Sequence, residues 1–231
     1  MSPVAAAGVM LILVPVAFNV AFAALAAVFD YPDVLRRPTT EVLAEFRAGG
    51  TSLVLLWWAF ALTALLLAPL AVLTAHATTG ADVTLRSLAG AVGVMAALVQ
   101  ALGLVRWPFL VPYLARVDGS LTSTPAQRES VEVVFQAFHR FLGVAVGEHL
   151  GYLLTGTWSV LVGVTITQSS VAPVWLGVVG IVIGAVLAVC SLEFVGPFEE
   201  AGWSVVGRLT PPAYVAWSVW LVACGIAFLV R

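Results

Sequence analysis

Glu148 and His149 stand side by side in HRFLGVAVGEHLGYLLTGTW, residues 139–158, a stretch otherwise apolar enough to be a membrane helix. A carboxylate in hydrocarbon costs several kcal/mol unless it is paired, protonated or open to water. Glu148 is therefore expected to point into the protein, and an ionisable group at such depth is by default a functional site. On an α-helix, turning about 100° per residue, Thr155 falls on nearly the same line as Glu148, and His149 is one step round. Tyr152 lies between them, four residues after Glu148 and three after His149. The expected chemistry is a connected Glu148–Tyr152–His149 edge with Thr155 below it, able to anchor a polar head or act as a general acid and base. The competing reading is structural: a buried hydrogen bond or an ion pair with an arginine.

Depth suggests the partners. Arg47 precedes the second apolar run, Arg106 ends the third, His139 and Arg140 precede the fourth, and Glu193 closes the fifth. Glu148 lies about 11 Å in from that same face, at a rise of about 1.5 Å per residue. Glu148, His149, Tyr152, Thr155, Glu193, Arg47, Arg106, Arg140 and His139 thus form the candidate ligand-binding set, in a polar vestibule with Glu199, Glu200 and Trp203 at its rim. No catalytic residue is assigned, and whether a reaction occurs is left open.

Other chemistries fail on spacing. His139 and His149 are ten positions apart, about 15 Å along a helix, too far to share a metal ion. No paired-cysteine, HExxH, nucleophile-elbow or phosphate-loop pattern occurs. No metal and no cofactor is expected. No basic run exceeds Arg36-Arg37, so nucleic acid is not an expected partner. Cys190 and Cys224 sit at different depths in separate spans and read as buried thiols, not a disulfide.

The elements that must position these residues are membrane helices. The chain is 61% hydrophobic and only 10% charged, whereas soluble domains are about half apolar and about a quarter charged. All ten basic residues are arginine, a bias of the kind high-GC bacteria show. Six spans are expected in an all-α, six-helix bundle forming a single integral membrane domain over 1–231: about 3–29, 51–76, 85–105, 141–166, 172–195 and 211–230. The first reads as a retained helix. Asn19, one turn after Pro15, is placed to serve backbone groups that the proline frees. The third span is predicted to stop at RWPFLVP, where Pro108 and Pro112 forbid regular continuation. The sixth is predicted to open at TPPAY with Thr210 as N-cap.

Connections 2 and 4 are short and nearly uncharged, whereas connections 1, 3 and 5 carry most charges. TTEVLAEFRAGG in connection 1 predicts a short amphipathic helix with Val42, Leu43 and Phe46 on one side, ended by Gly49-Gly50. STPAQRESVEVVFQAFHR in connection 3 predicts another, with a Thr124–Gln127 capping box and an apolar stripe of Val131, Val134, Phe135, Phe138 and Leu142. Both are expected to lie in the membrane interface. Eight arginines flank connections 1, 3 and 5, against Arg86 and Arg231 opposite, which places those connections in the cytoplasm of a bacterial inner-membrane protein.

Gly143, Gly147 and Gly151, spaced by four, form a small-residue ridge that lets a helix approach closely, from this chain, a second copy or a membrane partner. Gly180, Gly184 and Ala188 form another. PPAYVAWSVWLVACGIAFLV near the C-terminus, RAGG before the second span and the six-span layout resemble the uncharacterised bacterial multi-pass family called domain of unknown function 4386. The resemblance implies a six-helix membrane bundle and supplies no reaction, ligand or catalytic residue. The leading expectation is binding of a small amphipathic or lipid-like molecule at the Glu148/His149 cleft. The alternatives are a non-catalytic membrane partner or assembly subunit, and a small transporter.

Overall fold

The computed structural model describes residues 2–230. Those residues fold into helices and turns, with no strand among them. Long apolar runs close their backbone hydrogen bonds internally as helices because lipid offers none. Five helical stretches are long and apolar enough to cross a membrane: Pro3–Phe29, Thr39–Ala77, Val83–Gly119, Pro125–Gln168 and Ser204–Leu229. A sixth apolar helix, Val174–Cys190, is 17 residues long, at the short end of the spanning range of about 17–25.

The first span is α1 (Pro3–Phe29). The second is α2 (Thr39–Leu65) continued by α3 (Leu67–Ala77). Gly50 interrupts α2 with φ 55° and ψ −150°, a conformation that side-chain-bearing residues rarely adopt. The break separates the amphipathic first part of α2 from the span proper, where the glycine pair predicted an end.

The third span is α4 (Val83–Phe109), followed by α5 (Val111–Gly119). α4 ends at Phe109, inside RWPFLVP where the stop was expected, having run through Pro108, and the chain re-enters a helix after Leu110. Pro112 is tolerated because it occupies the first turn of α5, where an N–H would have no helical partner. In connection 3, α6 (Pro125–Phe138) opens with the predicted reciprocal cap: Thr124 Oγ1 accepts from the Gln127 N–H at 3.3 Å, and Gln127 Oε1 accepts from the Thr124 N–H at 2.8 Å.

The fourth span begins as a π-helix over His139–Leu150 and continues as α7 (Gly151–Gln168). The fifth is α8 (Val174–Cys190) and the sixth is α9 (Ser204–Leu229). The predicted Thr210 N-cap is corrected: α9 starts at Ser204 and carries Pro211 and Pro212 inside it. The Thr210 hydroxyl instead donates back to the Val206 carbonyl at 3.0 Å. Asn19 also departs from expectation. Its amide donates to the Pro15 carbonyl at 2.7 Å and to Ser218 Oγ at 3.0 Å, whereas the carbonyl deprived of its donor by Pro15 is that of Leu11.

Each span packs on the next in sequence, and α9 returns to pack on α1, so the six form a ring. Two small-residue seams draw neighbours close. At Gly156 and Gly184, and at Gly163 and Gly177, α7 and α8 approach backbone to backbone, a Cβ at any of the four falling 2.5 Å from the facing helix's carbonyl or amide. Gly8 and Gly225 do the same for α1 and α9. Cys190 and Cys224 are buried free thiols.

A second core gathers under connections 1 and 3. Trp57 and Trp107 stack at 4.4 Å, with Phe29, Phe46 and Phe135 edge-on or stacked around them. Val42, Leu43 and Phe46 are buried in it, as are Val131 and Phe135. The two amphipathic helices therefore bury these residues against the rest of the chain. Only the outer part of the α6 stripe, Val134 and Phe138, stays exposed.

Candidate functional site

The ring encloses a cavity of about 280 Å³ walled by α1, α2, α4, the π-helix with α7, and α9. Tyr31 and Pro32, in the connection after α1, and the exposed Pro211 of α9 line its end on the face of connections 1, 3 and 5. Asn19 and Val215 line the cavity and are also exposed, Val215 by 59%.

The wall facing α4 comes directly from the glycine spacing. A Cβ at Gly143 would stand 2.6 Å from Arg106 Nη2, one at Gly147 would stand 3.1 Å from Gly103 Cα, and one at Gly151 would stand 3.0 Å from Gln100 Cγ. The ridge, expected to let a helix of this chain, a second copy or a membrane partner approach closely, is filled by α4, one turn at a time. This close seating brings Gln100, Gly103 and Arg106 of α4 beside Glu148 and Tyr152.

Glu148 is the one acid and Arg106 the one base among the lining residues. They form no ion pair with each other, and among the described residues the Glu148 carboxylate has no hydrogen-bond partner. Arg106 is engaged elsewhere. Its Nη1 donates to the Gly103 carbonyl, its Nη2 lies 3.5 Å from His139 Nδ1, and its guanidinium carbon sits 5.3 Å from the Trp107 ring centre. Six aromatic rings complete the wall: Phe18, Phe22, Tyr31, Phe60, Tyr152 and Tyr214. Three of the chain's four tyrosines are among them. Tyr152 and Tyr214 meet edge-on at 5.2 Å, and Phe22 and Tyr31 at 5.5 Å. Burial pushes the Tyr31 hydroxyl pKa up, the Glu148 charge adds to that rise, and the Arg106 charge opposes it.

The other candidates lie outside the cavity. His149 Nδ1 donates to the Ser191 carbonyl at 2.8 Å, just past the end of α8. It serves a helix terminus whose last carbonyls lack helical donors, so the expected Glu148–His149 edge is corrected. The physical reason is the neighbouring span: a bare carbonyl at Ser191, at the end of α8, lies within reach of the imidazole and takes its N–H on the side away from the cavity. Thr155 is buried behind the wall, where Oγ1 accepts from Gln100 Nε2 at 3.1 Å. His139 stacks on Phe135. Arg47 clamps α5 through the Ala115 carbonyl at 2.9 Å and Asp118 at 2.8 Å. Arg140 pairs with Glu199 on the surface.

Glu193 stands behind Thr210, whose hydroxyl is 3.5 Å from Oε2. Burial pushes its carboxyl pKa up, with Arg36 and the Thr210 hydroxyl opposing. A smaller void of about 20 Å³ continues beyond the cavity between Phe18, Gln100, Tyr214 and Trp217. Past it, Leu11, Leu70 and Leu221 are fully or nearly fully buried, closing the middle of the ring.

Spacing within one segment did not reveal Phe18, Phe22, Tyr31, Phe60 or Tyr214 as lining residues, because they come from four separate stretches of chain. The one available signal was the i, i+4 pair Phe18 and Phe22 flanking Asn19. Among the described residues no three His, Cys, Asp or Glu side chains gather where they could hold a metal ion.

The sequence model of a family described as a domain of unknown function, DUF4386, matches residues 6–225. No curated protein and no solved structure matches the chain. With nearly its whole length matched, the chain belongs to the DUF4386 family.

Proposed function

We propose that this DUF4386 member is a multi-pass protein of a bacterial cell membrane that binds a small amphipathic or lipid-like molecule in the cavity beside Glu148. One observation carries the reading: a carboxylate without a partner faces an open, largely aromatic cavity at membrane depth. A purely structural acid there would be expected to have satisfied itself within the protein. The volume, about 280 Å³, stands near the lower end of ligand sites, about 300–1,000 Å³. It suits a head group or a short molecule, with further apolar parts leaving between α1 and α9. The excess of arginines around connections 1, 3 and 5 supports a cytoplasmic mouth.

The test is Glu148→Gln purified beside wild type, with thermal stability and co-purifying molecules read by native mass spectrometry. The expected result is an equally stable variant that has lost a molecule carried by wild type. A variant that unfolds at much lower temperature, with no molecule in either sample, overturns the reading and makes Glu148 a packing residue.

A further inference from the structure

We infer that the head group held beside Glu148 is a protonated amine, carried on an apolar tail that leaves between α1 and α9. This rests on the cavity being a binding site. The two charges at the wall are not equivalent. Arg106 is committed to the Gly103 carbonyl, lies near His139 and is backed by the Trp107 ring, with Gly143 pressed against its guanidinium. Glu148 has no such commitments and keeps its acceptor sites for whatever enters.

An ammonium brings three donors to a carboxylate and to the hydroxyl oxygens of Tyr31, Tyr152 and Tyr214, which accept no hydrogen bond from the described residues. The six ring faces and edges add a second selection, because a cation over an aromatic face is attracted by the ring quadrupole. A carboxylate head would meet Glu148 at close range. A neutral head would bring no charge to Glu148, whose carboxylate makes no ion pair with Arg106, the one other charge at the wall. The tail has an exit: Val215 and Asn19 are both cavity wall and outer surface, and Phe18 and Phe22 provide an apolar lining beside them.

The experiment uses the full chain in nanodiscs, titrated calorimetrically with dodecylamine, dodecanol and dodecanoate, with empty nanodiscs as the blank. Wild type is expected to bind the amine at least about tenfold tighter than the alcohol and the carboxylate weakest. Glu148→Gln is expected to lose the amine preference while keeping the alcohol affinity. The wild-type ranking stands on its own should the variant fold poorly. Equal binding of all three heads, or preference for the carboxylate, overturns the amine inference and leaves the cavity reading intact. No binding by any probe overturns both. Two competition arms separate the sources: displacement by ethanolamine phospholipid built into the disc assigns a membrane lipid, and displacement only by butylamine added from water assigns a soluble amine. Failure of every amine to compete overturns the inference.

Discussion

Gly143 and Arg106 fit against each other so closely that a single methyl group on the glycine would fall 2.6 Å from Nη2. One turn on, Gly103 and Gly147 meet backbone to backbone, a Cβ at Gly103 falling 2.7 Å from Gly147 Cα. The two contacts differ in what can yield. A guanidinium is the far end of a flexible side chain, whereas a helix backbone is not.

Gly103→Ala is therefore expected to destabilise by about 1–3 kcal/mol, the usual range for overpacking, seen as a clear drop in melting temperature. Gly143→Ala is expected to keep nearly the wild-type melting temperature while displacing Arg106 and changing the cavity's head-group selectivity. If both variants lose the same stability, the glycine ridge is uniformly structural.

His149→Leu removes the donor to the Ser191 carbonyl. A loss of about 1 kcal/mol is expected, measured by thermal or chemical denaturation, with binding in the cavity unchanged. A large change in binding with intact stability would return His149 to the site.

Ser159→Ala leaves the Trp217 indole N–H, now 2.8 Å from Ser159 Oγ, without an acceptor in a fully buried position. The expected penalty is about 1–3 kcal/mol, and Ser159→Thr should restore most of it by keeping the hydroxyl.

The raised Glu193 pKa fixes the sign of a pH effect. Between the ordinary carboxyl pKa and the raised one, the folded chain holds more of this proton than the unfolded chain, so stability falls as pH rises through that window. Glu193→Gln should match wild type in acid, gain on it through the window and hold a constant advantage above. Melting temperatures from about pH 3 to about pH 8 check this, and an advantage largest in acid would contradict it. Glu193 is only partly buried, so solvent screening keeps the effect small.

The spans and caps were legible because they depend on local chemistry. Apolar runs must become helices in lipid, Thr124 with Gln127 specifies its own cap, and Gly50 alone could take the backbone angle at the break. Pro108 was read correctly, since α4 ends one residue after it, whereas Pro211 and Pro212 misled because α9 carries both inside it and starts at Ser204. His149 misled because its partner, the Ser191 carbonyl, lies 42 positions away at the end of another span, which spacing within one helix does not show. The aromatic wall was hidden for a different reason: Phe60 and Tyr214 become neighbours of Glu148 only once the ring has closed, and no periodicity within one span encodes that.

Ring closure also has a kinetic side. Five of the six interspan interfaces join consecutive spans, which the chain can form one after another. The α1–α9 interface joins residues as far apart as Asn19 and Ser218, 199 positions along the chain. Contacts of such separation carry the largest loop-closure entropy and are the slow ones to assemble. That late-forming seam is the same one at which the cavity reaches the outer surface, so parting it separates no pair of consecutive spans.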